Sequence, residues 1–77
     1  MKELNIIQTI CKKHGISVIE LLGSGRRSKI IDARVDIVLE LKGMGYSFLE
    51  IGIILGRRNH TTILSLYKKG KKKLSTG

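Results

Sequence analysis

Apolar residues recur along this chain at spacings of three and four rather than two, a periodicity that predicts helices throughout. Leu4, Ile7, Ile10, Cys11 and His14 form the stripe of a first helix that ends near Gly15. Ser17 followed by Glu20 has the spacing of a capping box, so a short second helix carrying Val18, Ile19, Leu21 and Leu22 should start there and stop at Gly23. Periodicity then lapses over Gly23-Ser24-Gly25-Arg26-Arg27-Ser28-Lys29, a flexible basic loop. From about Ile30 a third helix runs through Ile31, Val35, Ile37, Val38, Leu41 and Met44. It is apolar on more than one face, as a central helix packed by several neighbours must be, and Gly43 and Gly45 close it.

A second capping box, Ser47 to Glu50, opens a fourth helix with Phe48, Ile51 and Leu55 along one side and Gly56 as its stop. Asn59 is placed to cap a fifth helix that turns Ile63, Leu66 and Tyr67 inward. The lysine-rich tail over 71–77 is expected to fray. The pattern as a whole predicts an all-α fold, a small bundle of about five helices in a single domain over 1–77, without internal repeat or linker.

Composition narrows the function. With 15 Lys+Arg against 6 Asp+Glu the 77-residue chain carries a formal charge of +9. On so small a body that surplus must be patchy and must favour a polyanion, nucleic acid before anionic membrane or acidic protein. The single cysteine, Cys11, has no internal disulfide partner. Gln8, Lys12 and Lys13 interrupt the N-terminal apolar residues, so that segment is neither signal peptide nor membrane span, and a cytoplasmic, nucleoid-associated protein is expected.

Two short helices joined by a turn of about four residues containing Gly match the helix-turn-helix pattern, here over about 47–70, with Gly52 where a second helix must approach closely. In that motif the second helix presents its N-terminal residues to base edges in the major groove. Asn59, His60 and Thr61 would occupy those positions, with Arg58 able to fork onto guanine or clamp a phosphate. Asn can pair with adenine N6 and N7 together, and Thr offers a hydroxyl and a methyl suited to thymine. Around them Arg26, Lys29, Arg34, Ser47, Arg57, Thr62, Lys68 and Lys69 are phosphate candidates.

The run from Ile51-Gly52 through Gly56-Arg57-Arg58-Asn59-His60-Thr61-Thr62-Ile63 to Lys68-Lys69 resembles the C-terminal duplex-binding domain of the bacterial replication initiator DnaA. That family's signature reads Glu-Ile-Gly, a gap, then Gly-Gly-Arg-Asp-His-Thr-Thr-Val, with a basic residue further along. Glu50-Ile51-Gly52 and His60-Thr61-Thr62 match it with the spacing kept, and the lead-in helices and basic loop extend the likeness over nearly the whole chain. The resemblance implies a Trp-repressor-like helical fold and a double-stranded DNA partner, bound by one molecule per asymmetric site. It further implies base contacts from Asn59, His60 and Thr61, entry of Arg27 into the minor groove, and phosphate contacts from Arg34, Thr62 and Lys69. Asn59 replaces the family's Asp, an acceptor suited to cytosine, and Arg57 replaces its second Gly. The initiator's nucleotide-binding module does not fit in 77 residues. The chain therefore reads as a box-binding domain without the motor, either a small regulator or part of a larger initiator.

Simpler roles stand beside these. Asn59 can serve as an N-cap alone, the lysine run as a solvated helix end, and Arg26 and Arg27 as loop solubilisers. The basic loop lacks the Gly-Lys-Ser/Thr ending of a phosphate loop, and Cys11 with His14 falls short of a zinc site. Neither His14 nor His60 has an evident nucleophile or carboxylate partner, so no enzyme, cofactor, metal or small-molecule substrate is expected. The competing function is charge-driven binding of RNA or any duplex, or a protein-interaction module, which an exposed apolar patch would favour.

Overall fold

The computed structural model describes residues 2–23, 25, 27–56 and 59–75, with side chains described for 4–23, 25, 27–56 and 59–72. Five helices follow in order: α1 (Lys2–His14), α2 (Val18–Leu22), α3 (Ser28–Gly43), α4 (Phe48–Ile54) and α5 (His60–Ser75). No strand occurs among the described residues, in accord with the all-α expectation.

Helix α3 is the axis of the bundle, touched by each of the other four. Its buried residues Ile30, Ala33, Val35, Ile37, Val38 and Leu41 cover more than one face, the physical reason for its weak amphipathicity in sequence. Leu21, Ile51, Leu55 and Ile63 from the surrounding helices complete the core with no solvent exposure. Phe48 and Tyr67, both half-buried, stack edge to face with centroids 5.2 Å apart and join α4 to α5. His14, in the apolar stripe of α1, does have a carboxylate partner: its Nε2 lies 2.6 Å from Asp36 Oδ2, tying α1 to α3. Periodicity alone over-assigned the interior, since Leu4, Ile19, Leu22 and Met44 are exposed.

Both capping boxes form. The hydroxyls of Ser17 and Ser47 accept from the Glu20 and Glu50 backbone N–H groups at 3.1 Å, and each glutamate accepts in return from the cap N–H. Those backbone hydrogen bonds hold both carboxyls below their ordinary range. Because the folded groups titrate below their unfolded values, the boxes contribute fully above the unfolded value and are lost as pH falls through the folded ones. Thermal melts should show stability declining on acidification. Glu20→Gln with Glu50→Gln should flatten that decline while still accepting from the cap N–H.

One boundary differs from expectation. Helix α3 begins at Ser28, two residues early, because the Arg27 carbonyl accepts from Ile30 and Ile31 N–H at 3.0 Å. Helix α5 extends to Ser75, and Lys71 Nζ lies 5.7 Å from the Tyr67 ring centre. A buried residue that periodicity did not single out seats this helix. A Cβ on Gly70 would fall 2.7 Å from Leu39 Cδ1 and 2.8 Å from Val35 Cγ1, so α5 crosses α3 so closely that any side chain at this position would force Leu39 and Val35 to shift. Gly70→Val should cost roughly 1–3 kcal/mol by overpacking, measurable as a lowered denaturation midpoint.

Candidate nucleic-acid interface

Helices α4 and α5 pack against each other and both pack on α3, which orients the pair as one unit. Between them Gly56 adopts φ +92°, a conformation that side chains strain to reach, and a Cβ there would lie 3.2 Å from the Leu22 carbonyl oxygen. The turn therefore rests directly against the end of α2. Gly52 is buried in α4.

Asn59 caps α5. Its Oδ1 accepts from the Thr61 N–H at 3.1 Å, and its own carbonyl accepts from Thr62 and Ile63 N–H. Asn59, His60, Thr61 and Thr62 are all exposed, while Ile63 is fully buried one position later. Helical spacing stacks Thr61 with Lys68 and Thr62 with Lys69, seven residues on, and both lysines are exposed. Ser65 stands one turn beyond Thr61 on the same outer stripe and is exposed. Reading ILSLY as an apolar run concealed it; its four-residue distance from Thr61 was the available signal. From Ile51 to the end, about a third of the chain, there are seven basic residues (Arg57, Arg58, Lys68, Lys69, Lys71, Lys72, Lys73) and no acidic one, so positive charge is concentrated in this segment.

Ser47 uses its oxygen as an acceptor in the α4 cap, which leaves its O–H proton a donor at the helix N-terminus. In the basic loop Arg27 is exposed and its Nη2 lies 2.6 Å from Glu20 Oε2. Lys29 is exposed in the first turn of α3 and, like Arg27, contributes to lowering the Glu20 carboxyl. The expectations for Arg26, Arg57 and Arg58 lie outside the described residues.

Arg34 is a correction. Rather than presenting its guanidinium to a phosphate, it is only 6% exposed and donates to three backbone carbonyls, Leu21 at 3.0 Å, Gly25 at 2.9 Å and Gly23 at 2.6 Å. The planar fork of the arginine thus gathers the Leu21 carbonyl at the end of α2 and the Gly23 and Gly25 carbonyls of the loop that follows. This side chain shapes the loop that carries Arg27. From sequence alone, an arginine in a basic context could not be told from a surface cation.

The family model for the bacterial DnaA protein helix-turn-helix matches residues 4–69. The chain belongs to this family. Among curated DnaA relatives, the chromosomal replication initiator protein DnaA of Thermomicrobium roseum is 38% identical over 60 residues, 77% of this chain and 13% of that protein. That of Buchnera aphidicola subsp. Cinara cedri is 35% identical over 72 residues, 88% of this chain and 16% of that protein. The chain thus spans less than a fifth of the length of these DnaA proteins. No solved structure matches it. Among the described residues no helix is long and apolar enough to cross a membrane.

Proposed function

We propose that this domain binds a specific short double-stranded DNA site of the initiator-box type, as a replication-origin or regulatory DNA-binding unit at the bacterial nucleoid. One molecule would engage one asymmetric site. The observation that carries the reading is the exposed Asn59-His60-Thr61-Thr62 turn, set at the start of a helix whose buried face is locked on α3 and whose flanks continue in Lys68 and Lys69. At 16 residues, α5 is about 24 Å long, enough to lie in a major groove about 12 Å wide. Asn59, His60, Thr61 and Arg58 face bases in this arrangement. Arg27 enters the adjacent minor groove after exchanging Glu20 for DNA, and Ser47, Lys29, Thr62, Lys68 and Lys69 hold phosphates together with Arg26 and Arg57.

Fluorescence anisotropy against a box duplex, a scrambled duplex and single-stranded RNA tests it. The box should be preferred by on the order of a hundredfold or more at physiological salt. If roughly five to seven phosphates are neutralised, log affinity falls with log salt at a slope of about −4.5 to −6. A second reading has its own observation: Leu49 and Ile53, four residues apart on the outer side of α4, are 65% and 60% exposed, an apolar surface suited to a protein contact. Equal binding to all three nucleic acids would remove the site-specific duplex reading and leave charge-driven polyanion binding or a protein contact through this face.

A further inference from the structure

In the free domain the guanidinium of Arg27 already has an anionic partner, and that partner is fixed in place. Arg27 Nη2 lies 2.6 Å from Glu20 Oε2. The other carboxylate oxygen, Glu20 Oε1, accepts from the Ser17 N–H at 3.1 Å, and the Glu20 N–H donates to Ser17 Oγ at 3.1 Å. The capping box thus ties this anion to α2, so it cannot follow the arginine elsewhere. The backbone of Arg27 is tied as well. Its carbonyl accepts from the Ile30 and Ile31 N–H groups at the start of α3, and two residues earlier the Gly25 carbonyl is held by Arg34 at 2.9 Å. With both backbones held, the change of partner falls to the Arg27 side chain, which is 75% exposed.

A minor groove about 6 Å wide has no space for a carboxylate beside an inserted guanidinium, and an anion facing phosphates is repelled. Arg27 therefore reaches DNA only by leaving Glu20. Lys29, exposed in the first turn of α3, also acts electrostatically on the Glu20 carboxylate, so a cation stays near that anion after the exchange. We infer that Glu20 is an autoinhibitory competitor for Arg27, an internal anion that holds the arginine against α2 until a duplex replaces it and so lowers the affinity of the domain for DNA. This inference rests on the duplex reading and on the entry of Arg27 assigned there, and it adds a residue that works against binding.

Glu20→Gln is the informative replacement. Its amide oxygen still accepts from the Ser17 N–H, so the box is kept, but it turns a donor toward Arg27 where an anion stood. In anisotropy titrations with the box duplex, Glu20→Gln should bind about two- to fivefold more tightly than wild type, the range expected for release of one exposed ion pair. Arg27→Ala should bind more weakly than wild type. Adding Glu20→Gln to Arg27→Ala should gain little, which separates release of the pair from the unit of positive charge that both backgrounds acquire. The pair itself is read by the NMR resonance of the Glu20 carboxyl carbon, which should move toward its position in free Arg27→Ala when the box duplex is added to the wild-type domain. An unmoved Glu20 resonance, weaker binding by Glu20→Gln, or an equal gain in both backgrounds overturns the inference while box recognition stands. Undiminished affinity in Arg27→Ala removes the minor-groove assignment and the inference with it. Loss of box preference in the wild-type domain removes the duplex reading itself, and this inference falls too.

Discussion

Replacing Arg34 by Met should lower the unfolding free energy by about 2–4 kcal/mol, even though the substitution removes a charge from a strongly basic protein. Three charge-assisted hydrogen bonds end at the Leu21, Gly23 and Gly25 carbonyls, and methionine fills much of the volume without supplying a donor. Gly23 and Gly25 are exposed, so water partly rehydrates their carbonyls, which keeps the loss below the sum of three such bonds. A domain of this size is stable by about 4–11 kcal/mol, so the change is a large fraction of the total. Urea titration should show a lower midpoint with an unchanged slope. Arg34→Lys should recover little, because an ammonium offers a point charge where a fork is needed. The functional consequence follows from position: the same carbonyl run carries Arg27 on one side and abuts Gly56 in the turn before α5 on the other. DNA affinity should therefore fall at temperatures where the variant is still folded, although Arg34 is not itself on the surface.

His60→Ala should weaken binding to the preferred duplex by roughly 1–3 kcal/mol while changing affinity for random DNA little, and Asn59→Ala should do the same with an added cost in helix stability from the lost cap. Lys69→Ala, by contrast, should weaken every duplex similarly and reduce the salt slope by about one unit. The contrast rests on placement. His60 occupies the exposed first position of α5, where in the proposed docking a groove-bound helix comes nearest to bases, whereas Lys69 is exposed more than two turns further along the helix, where the proposal assigns it a phosphate. Anisotropy titrations of the three variants on box and scrambled duplexes check this. Equal losses on both DNAs for all three would remove the assignment of base readers.

Within this chain, local rules fared well wherever the determining interaction is itself local. Ser17 with Glu20 and Ser47 with Glu50 state their capping boxes in four residues, and both boxes form. The interruption of periodicity at Gly56 and the acceptor at Asn59 likewise announced the turn and the new helix, and Gly56 takes the left-handed backbone its lack of a side chain permits. The five-helix order and the central role of α3 were legible because a helix apolar on several faces has to be surrounded.

What the sequence by itself determined is thus the helix inventory, the position of the helix-turn-helix and the residue types at its leading turn, all consequences of contacts within about four residues. Only the tertiary structure decided what depends on distant partners. Arg34 belongs to the core because the end of α2 and the loop after it deliver carbonyls from nine to thirteen residues away. His14 is paired because α1 lies against Asp36. Gly70 matters because α5 crosses Val35 and Leu39. In each case the residue's chemistry was visible from the start, but its partner was brought to it by the packing of apolar surfaces elsewhere, and a burial pattern with no three-dimensional address cannot say which polar groups will meet.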